Sequence, residues 1–163
     1  MKEIPLTQGY VALVDDEDYE RLIAMGKWHV FKSKSRKQPS VYAARHESNT
    51  RDIIFMHSIV TGYRPVDHKD TNGLNNQKYN LRRTNHTLNM ANSRPIGGSS
   101  PFKGVSFQKQ TRTWSAKIKV NGKLKHLGSF KDEVDAATVY NFAAYEEWGE
   151  YARLNTPLTG EQL

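Results

Sequence analysis

Residues 66–92 read VDHKDTNGLNNQKYNLRRTNHTLNMAN. RPVDH at 64–68 has the composition of a short strand, KDTNGLNNQKYN that of a long polar loop, and LRRT at 81–84 that of a second strand. Thr84 or Asn85 then suits the cap of a helix running to about Ser93, which places Asn89 and Asn92, three apart, on one helix face. The stretch therefore predicts strand, loop, strand, helix. Asp67 offers a carboxylate oxygen and Asn89 an amide oxygen, both hard donors suited to Mg²⁺ or Mn²⁺. His68 offers an imidazole that takes a proton near neutral pH. A base for water and a cation for developing charge are what hydrolysis of a phosphodiester requires. An Asp-His pair alone more often does surface or structural work, so the weight rests on the whole pattern.

That pattern resembles the HNH endonucleases of phage and mobile elements, whose motif runs VDHxDGNxxNN, NLR and a final Asn. The match passes through Asp67, His68, Asp70, Asn72, Asn75, Asn76, Asn80, Leu81, Arg82 and Asn89, with Asn89 twenty-two residues after Asp67. Upstream, IPLTQGYVALVDDEDYERL (4–22) and FMHSIVTG (55–62) are similar to the N-terminal part of the same proteins. Downstream, FKGVSFQKQTRTWSAKIKVNGKLKHLGSF (102–130) and the helix after it resemble an AP2 DNA-binding domain. The resemblance covers nearly the whole chain, and the order HNH then AP2 is more specific than either part. It implies Asp67 and Asn89 as metal ligands, His68 as general base, and Asn80 as the residue that pins the loop so that His68 faces the water. His57 matches a His of the family's MH-R-L segment, with Ser58 in place of the usual Arg. It reads as a phosphate contact or support behind the site, or equally as a packed core histidine; Asn92 is a further candidate for a supporting position. The family's usual Gly after Asp70 is Thr71 here, and Gly73 comes late. Asp70 and Asn72 read as turn formers.

The 163-residue chain has a formal charge of +7 and a sequence pI near 9.6, which favours an anionic partner. From Phe102 to Lys131 there are eight Lys or Arg and no Asp or Glu, while Asp132, Glu133, Asp135, Glu146, Glu147 and Glu150 follow. A solvated basic face is the plain alternative; the absence of acids favours a phosphate-binding one. There is no cysteine, which excludes disulfides and Cys-ligated zinc. No apolar run is long enough to span a bilayer and MKEIPLTQGY carries no signal segment, so a soluble intracellular protein is expected, in host cytoplasm if phage-encoded.

YVALV, WHVFKS and VYAAR read as strands, and Asp15, Asp16 and Asp18 open a helix that Gly26 stops. KSRKQPS (34–40) is a basic loop, and IIFMHSIV is strand turning into helix. SRPIGGSSP (93–101) is the clearest linker. In TWSAKIKV, Trp114, Ala116, Ile118 and Val120 alternate with Ser115, Lys117 and Lys119. NGK marks a hairpin, KHLGSF is a third strand, and Asp132 caps the last helix. If that helix covers the apolar face, the lysine face is left for DNA. Lys103, Gln108, Lys117, Lys119 and His126 fall where AP2 domains touch DNA; Lys109, Arg112 and Lys125 join them as basic neighbours. Lys and Gln here lack the guanine-directed fork of Arg, so the plant AP2 target is not expected.

The expected architecture is α+β: an N-terminal mixed region leading into a ββα-metal (HNH) motif at about 64–93 within a nuclease domain 1–94, a linker 95–101, an AP2-like three-stranded antiparallel sheet packed on one helix at 102–156, and a tail 157–163. The expected activity is that of a homing-type, Mg²⁺- or Mn²⁺-dependent endonuclease acting on double-stranded DNA as a monomer, with no membrane partner. A non-catalytic DNA-binding regulator that keeps the fold is the alternative. An RNA-binding protein is disfavoured by the lack of an exposed aromatic stacking platform.

Overall fold

The structure is a computed structural model describing residues 1–34, 39–47, 50, 52–95 and 97–156. Most of the basic loop at 34–40, Ile96 of the linker and the tail at 157–163 lie outside the described residues. The described residues form a mixed α+β structure, with small antiparallel sheets and four α-helices. It divides into two compact units, Met1–Asn85 and His86–Leu163. Among the described residues no helix is long and apolar enough to cross a membrane.

In the first unit, β1 (Lys2–Pro5) pairs antiparallel with β2 (Val11–Val14), and α1 (Asp16–Ala24) follows. β1 is a strand the sequence does not announce, because three of its four residues are exposed and only Ile4 turns inward. Asp15 stands at the N-cap position of α1 but makes no cap bond. Its carboxylate instead accepts from Gln77 Nε2 at 3.1 Å and the Lys78 N–H at 2.7 Å. β3 (His29–Lys32), β4 (Val41–His46) and β5 (Ile53–Phe55) form an antiparallel sheet in the order 3-4-5. IIFMHSIV resolves into β5 followed at once by α2 (Met56–Thr61), which stops at Gly62 in the left-handed region. β6 (Val66–His68) and β7 (Leu81–Arg83) make a two-stranded ladder. The core joins Ile4, Val14, Leu22, Trp28, Met56 and Leu81. Each such side chain contributes about 1.5–3 kcal/mol by leaving water. The Trp28 indole N–H reaches the Leu22 carbonyl at 2.9 Å, so its one polar atom is satisfied.

In the second unit, α3 (His86–Ala91) precedes β8 (Val105–Gln108), β9 (Thr113–Val120) and β10 (Lys123–Phe130). These strands form an antiparallel sheet with β9 central. Asn121 and Gly122 both take positive φ, 49° and 78°, as the tight β9–β10 hairpin requires. α4 (Glu133–Trp148) begins at Asp132, whose carboxylate accepts from the Val134 and Asp135 N–H groups. Ala136, Ala137, Tyr140 and Ala144 of α4 pack on Val105, Ala116 and Ile118, with Trp114 beside them. The units part at Asn85, ahead of the linker that the sequence suggests. The reason is local: the end of α3 is bonded to residues beyond that linker. Lys103 Nζ donates to the Met90 and Ala91 carbonyls and to Ser93 Oγ, and the Arg153 N–H donates to Ala91.

Candidate active site and nucleic-acid face

Asp67 and His68 are adjacent on β6, and both are buried. The β6–β7 register sets Asp67 opposite Arg82 and His68 opposite Leu81. Cross-strand partners share a face of the sheet. Arg82 Nε and Nη2 accordingly both reach Asp67 Oδ2, at 2.9 and 2.8 Å. Both side chains are under 10% exposed, so this is a buried ion pair that fixes the carboxylate.

His68 Nε2 lies 3.4 Å from Asn76 Oδ1. The Asn76 amide is oriented by its own Nδ2, which donates to the Leu74 carbonyl at 3.1 Å. An acceptor oxygen therefore faces Nε2, the proton sits on Nε2, and Nδ1 carries the lone pair. Burial holds the His68 imidazole below the ordinary histidine value, and the Asn76 bond and the carboxylates of Asp70 and Asp67 partly oppose that shift. A neutral ring at neutral pH is the outcome.

The loop between the strands is held from both sides. Asn80 Nδ2 donates to Asp70 Oδ1 and the Asn75 carbonyl, and its Oδ1 accepts the Asp70 N–H. Asp70 also accepts from the Asn72 N–H and Asn75 Nδ2, and Asn72 accepts from the Leu74 N–H. Side-chain oxygens thus close successive turns, which is why the loop is rich in Asn and Asp. On its other side Leu13 of β2 exchanges backbone bonds with Leu74 and Asn76, 2.8 Å each. Asp70 and Asn72 are turn formers, and Asn80 is the post to which the loop is tied.

His57, on α2, meets the His68 ring edge-on with centroids 5.1 Å apart and stacks flat on Phe55. Tyr42 packs against both histidines. The His57 Nδ1 is buried with no hydrogen-bond partner, and burial, with the charges of His68 and Arg64 added, lowers its pKa to about 3. His57 is thus a neutral ring packed behind His68. Arg82 and Asn76 belong to the sequence pattern, and the structure shows what they hold. Opposite charges on two strands were a usable signal for Arg82; the orientation of Asn76 had none.

Asn89 lies exposed on α3, in the second unit. Asn92, expected on the same helix face, is buried just past the end of α3, where its N–H closes a turn to the Leu88 carbonyl. Among the described residues no three His, Asp or Glu side chains cluster as a metal cage.

On the β8–β10 sheet, the register puts Ser106 beside Ser115, Lys117 beside His126 and Lys119 beside Leu124. These residues occupy the face opposite Ala116 and Ile118, hence opposite α4. The His126 ring bridges Ser115 Oγ and Ser129 Oγ, at 3.3 and 3.5 Å. Together with Gln108 and Lys117 they line a shallow polar depression. Lys109 and Arg112 stand exposed in the β8–β9 connection. Two of the expected DNA-facing cations are placed elsewhere. Lys125 pairs with Ile118 and so belongs to the other side of the sheet. Lys103 spends its three N–H donors on α3 and Ser93, and burial pushes its pKa down to about 8, with Arg153 adding to the shift. The chain matches no known protein family, no curated protein and no solved structure.

Proposed function

We propose that this chain is a Mg²⁺- or Mn²⁺-dependent DNA endonuclease of the HNH homing type, with the β8–β10 unit as an AP2-like DNA reader. The observation that carries the reading is the Asp67–His68 pair: the Asp67 carboxylate is held by Arg82 in a buried ion pair, and burial favours the neutral imidazole of its neighbour while Asn76 orients the ring. The donor set fits a hard cation. Asp67 supplies carboxylate oxygens, the hard donors that such a cation takes. The family resemblance implies Asn89 as a further oxygen donor. When bound, the cation supplies positive charge against the charge that develops on the phosphate.

The chain's own residues do the rest. His68 Nδ1 takes the proton of the attacking water, and the Nε2–H bond to Asn76 holds the ring while the imidazolium forms. Asn80 keeps the loop, and with it Asn76, in place. Attack in line at phosphorus leaves 5′-phosphate and 3′-hydroxyl ends, as the family resemblance implies. Lys117 and Lys119 contribute phosphate contacts from the sheet face.

A supercoiled plasmid nicked in Mg²⁺ and left intact in EDTA tests the proposal. His68→Ala should keep DNA binding and lose about 10²–10⁴-fold in cutting. Near-normal cutting by that variant removes His68 as the base. No cutting under any divalent cation, with DNA binding intact, leaves a non-catalytic DNA-binding regulator.

A further inference from the structure

We infer that the open face of the β8–β10 sheet selects A·T base pairs, through Gln108 at one corner and Leu124 at the other. The inference rests on the DNA reading proposed above and names what that face recognises. The strands of this sheet contain no acidic residue and no arginine, whose planar fork is the commonest reader of guanine. Lys117 and Lys119 are point charges on flexible stems, suited to phosphate. Ser115 is buried beneath this face and holds the His126 ring. Two residues of the face have a base preference built into their shape.

Gln108 is held by Ser106, whose Oγ accepts one Nε2 hydrogen at 3.2 Å. The other Nε2 hydrogen and Oε1 match the N7 acceptor and N6 donor of adenine, the usual bidentate partner of a Gln amide. Leu124 lies on the same face, opposite Lys119, and is 66% exposed. No part of the second unit covers it, and the apolar group that a major groove presents is the thymine methyl. Three strands at about 4.8 Å spacing span roughly 10 Å, within the roughly 12 Å width of the groove, so edge strands reach bases as well as the central one. Gln108 pairs with Thr113 and Leu124 with Lys119, six residues along β9. At about 3.3 Å per residue that is roughly 20 Å, or about four to six base pairs along the groove. The two contacts therefore read separate pairs.

The test is selection of bound sites from a random duplex library in EDTA, using the full chain, Gln108→Arg and Leu124→Ser. The parent should enrich A·T at two positions about four to six pairs apart, each favoured about 5- to 100-fold over G·C. Gln108→Arg should turn only the first position to G·C, and Leu124→Ser should erase only the second. Selection of G·C at the Gln108-dependent position, or a parent motif unchanged by both substitutions, overturns the inference while leaving DNA binding in place. Binding that is salt-dependent but enriches no sequence does the same. A parent chain that retains no duplex at low salt removes the DNA reading itself.

Discussion

Thr71 shows how one residue position reconciles two demands. The loop after His68 needs a positive φ, and Thr71 takes it at 61°. A β-branched residue there is strained, at a cost of about 1–2 kcal/mol. Gly73, the loop's only glycine, is needed elsewhere: a Cβ on it would collide with the Val41 carbonyl oxygen and lie 2.5 Å from Tyr42 Cδ1. Thr71→Gly should therefore raise stability by about 0.5–1 kcal/mol after the added chain entropy of glycine. Gly73→Ala should lower it by more than about 2 kcal/mol, because the clash is with backbone. Urea midpoints at constant m would read both, and a destabilised Thr71→Gly would mean that the threonine side chain outweighs the strain. The displaced glycine was legible in the sequence. Its cause was not, because Tyr42 is 31 residues before Gly73 and only the packed fold brings it to the loop. The same holds for His57: its type and position were visible, its stacking on Phe55 was not.

Strands and helices were easiest to read where composition and burial agree. TWSAKIKV alternates in sequence and in register on the sheet, with Ser115 the one polar-face residue that is buried, and Asp132 caps α4 as its position before VDAATVY suggests. β1 was hidden because a strand with one buried residue has no period to detect. The β6–β7 register was hidden by the intervening loop: opposite charges on the two strands hinted at a partner for Asp67, and the ladder identifies it as Arg82. That pair gives a prediction for the element. Arg82→Ala removes the cationic partner of a buried carboxylate and should cost about 3–5 kcal/mol, less when Asp67→Ala accompanies it. Additive losses in the double variant would show that the two side chains do not act as a pair. α2 gives another, through His57. Its pKa falls from 6.5 to about 3 in the folded chain. Between those values the unfolded chain holds a proton that the native chain does not, so acid favours unfolding. The stability is full above about pH 6.5 and is lost as the pH falls toward 3, at about 1.4 kcal/mol per unit. From pH 7 to 5 this is about 2 kcal/mol, and His57→Phe should flatten that share of the decline. An equally steep decline in the variant would assign the acid sensitivity to other groups.

Across the whole molecule, the linker composition and the division into two units fall at different places. The Pro-Gly-Ser stretch at 93–101 looks like the boundary, yet α3 before it is held by Lys103 and Arg153 after it, the cation at the helix C-terminus answering the dipole. A fragment ending near Ile96 would thus keep β1–β7 and strip α3 of these partners. The charge pattern translates more directly. The acid-free segment becomes a sheet with one face on α4 and Lys117 and Lys119 on the other, while Lys125 points from the α4 side and Lys103 is engaged. Fewer cations than the sequence count are then available to phosphate on this face, and the salt dependence measures how many. Each lysine set against a phosphate displaces condensed counterions and adds about 0.9 to the slope of log K against log salt. Lys117→Ala with Lys119→Ala in the intact chain should lower that slope by about 1.8 and weaken binding to most sequences alike. Lys125→Ala should lower it by much less. Anisotropy titrations of a labelled duplex between 50 and 200 mM salt give all three values. An unchanged slope in the double variant, with the full change in Lys125→Ala, would place the DNA on the opposite side of the sheet.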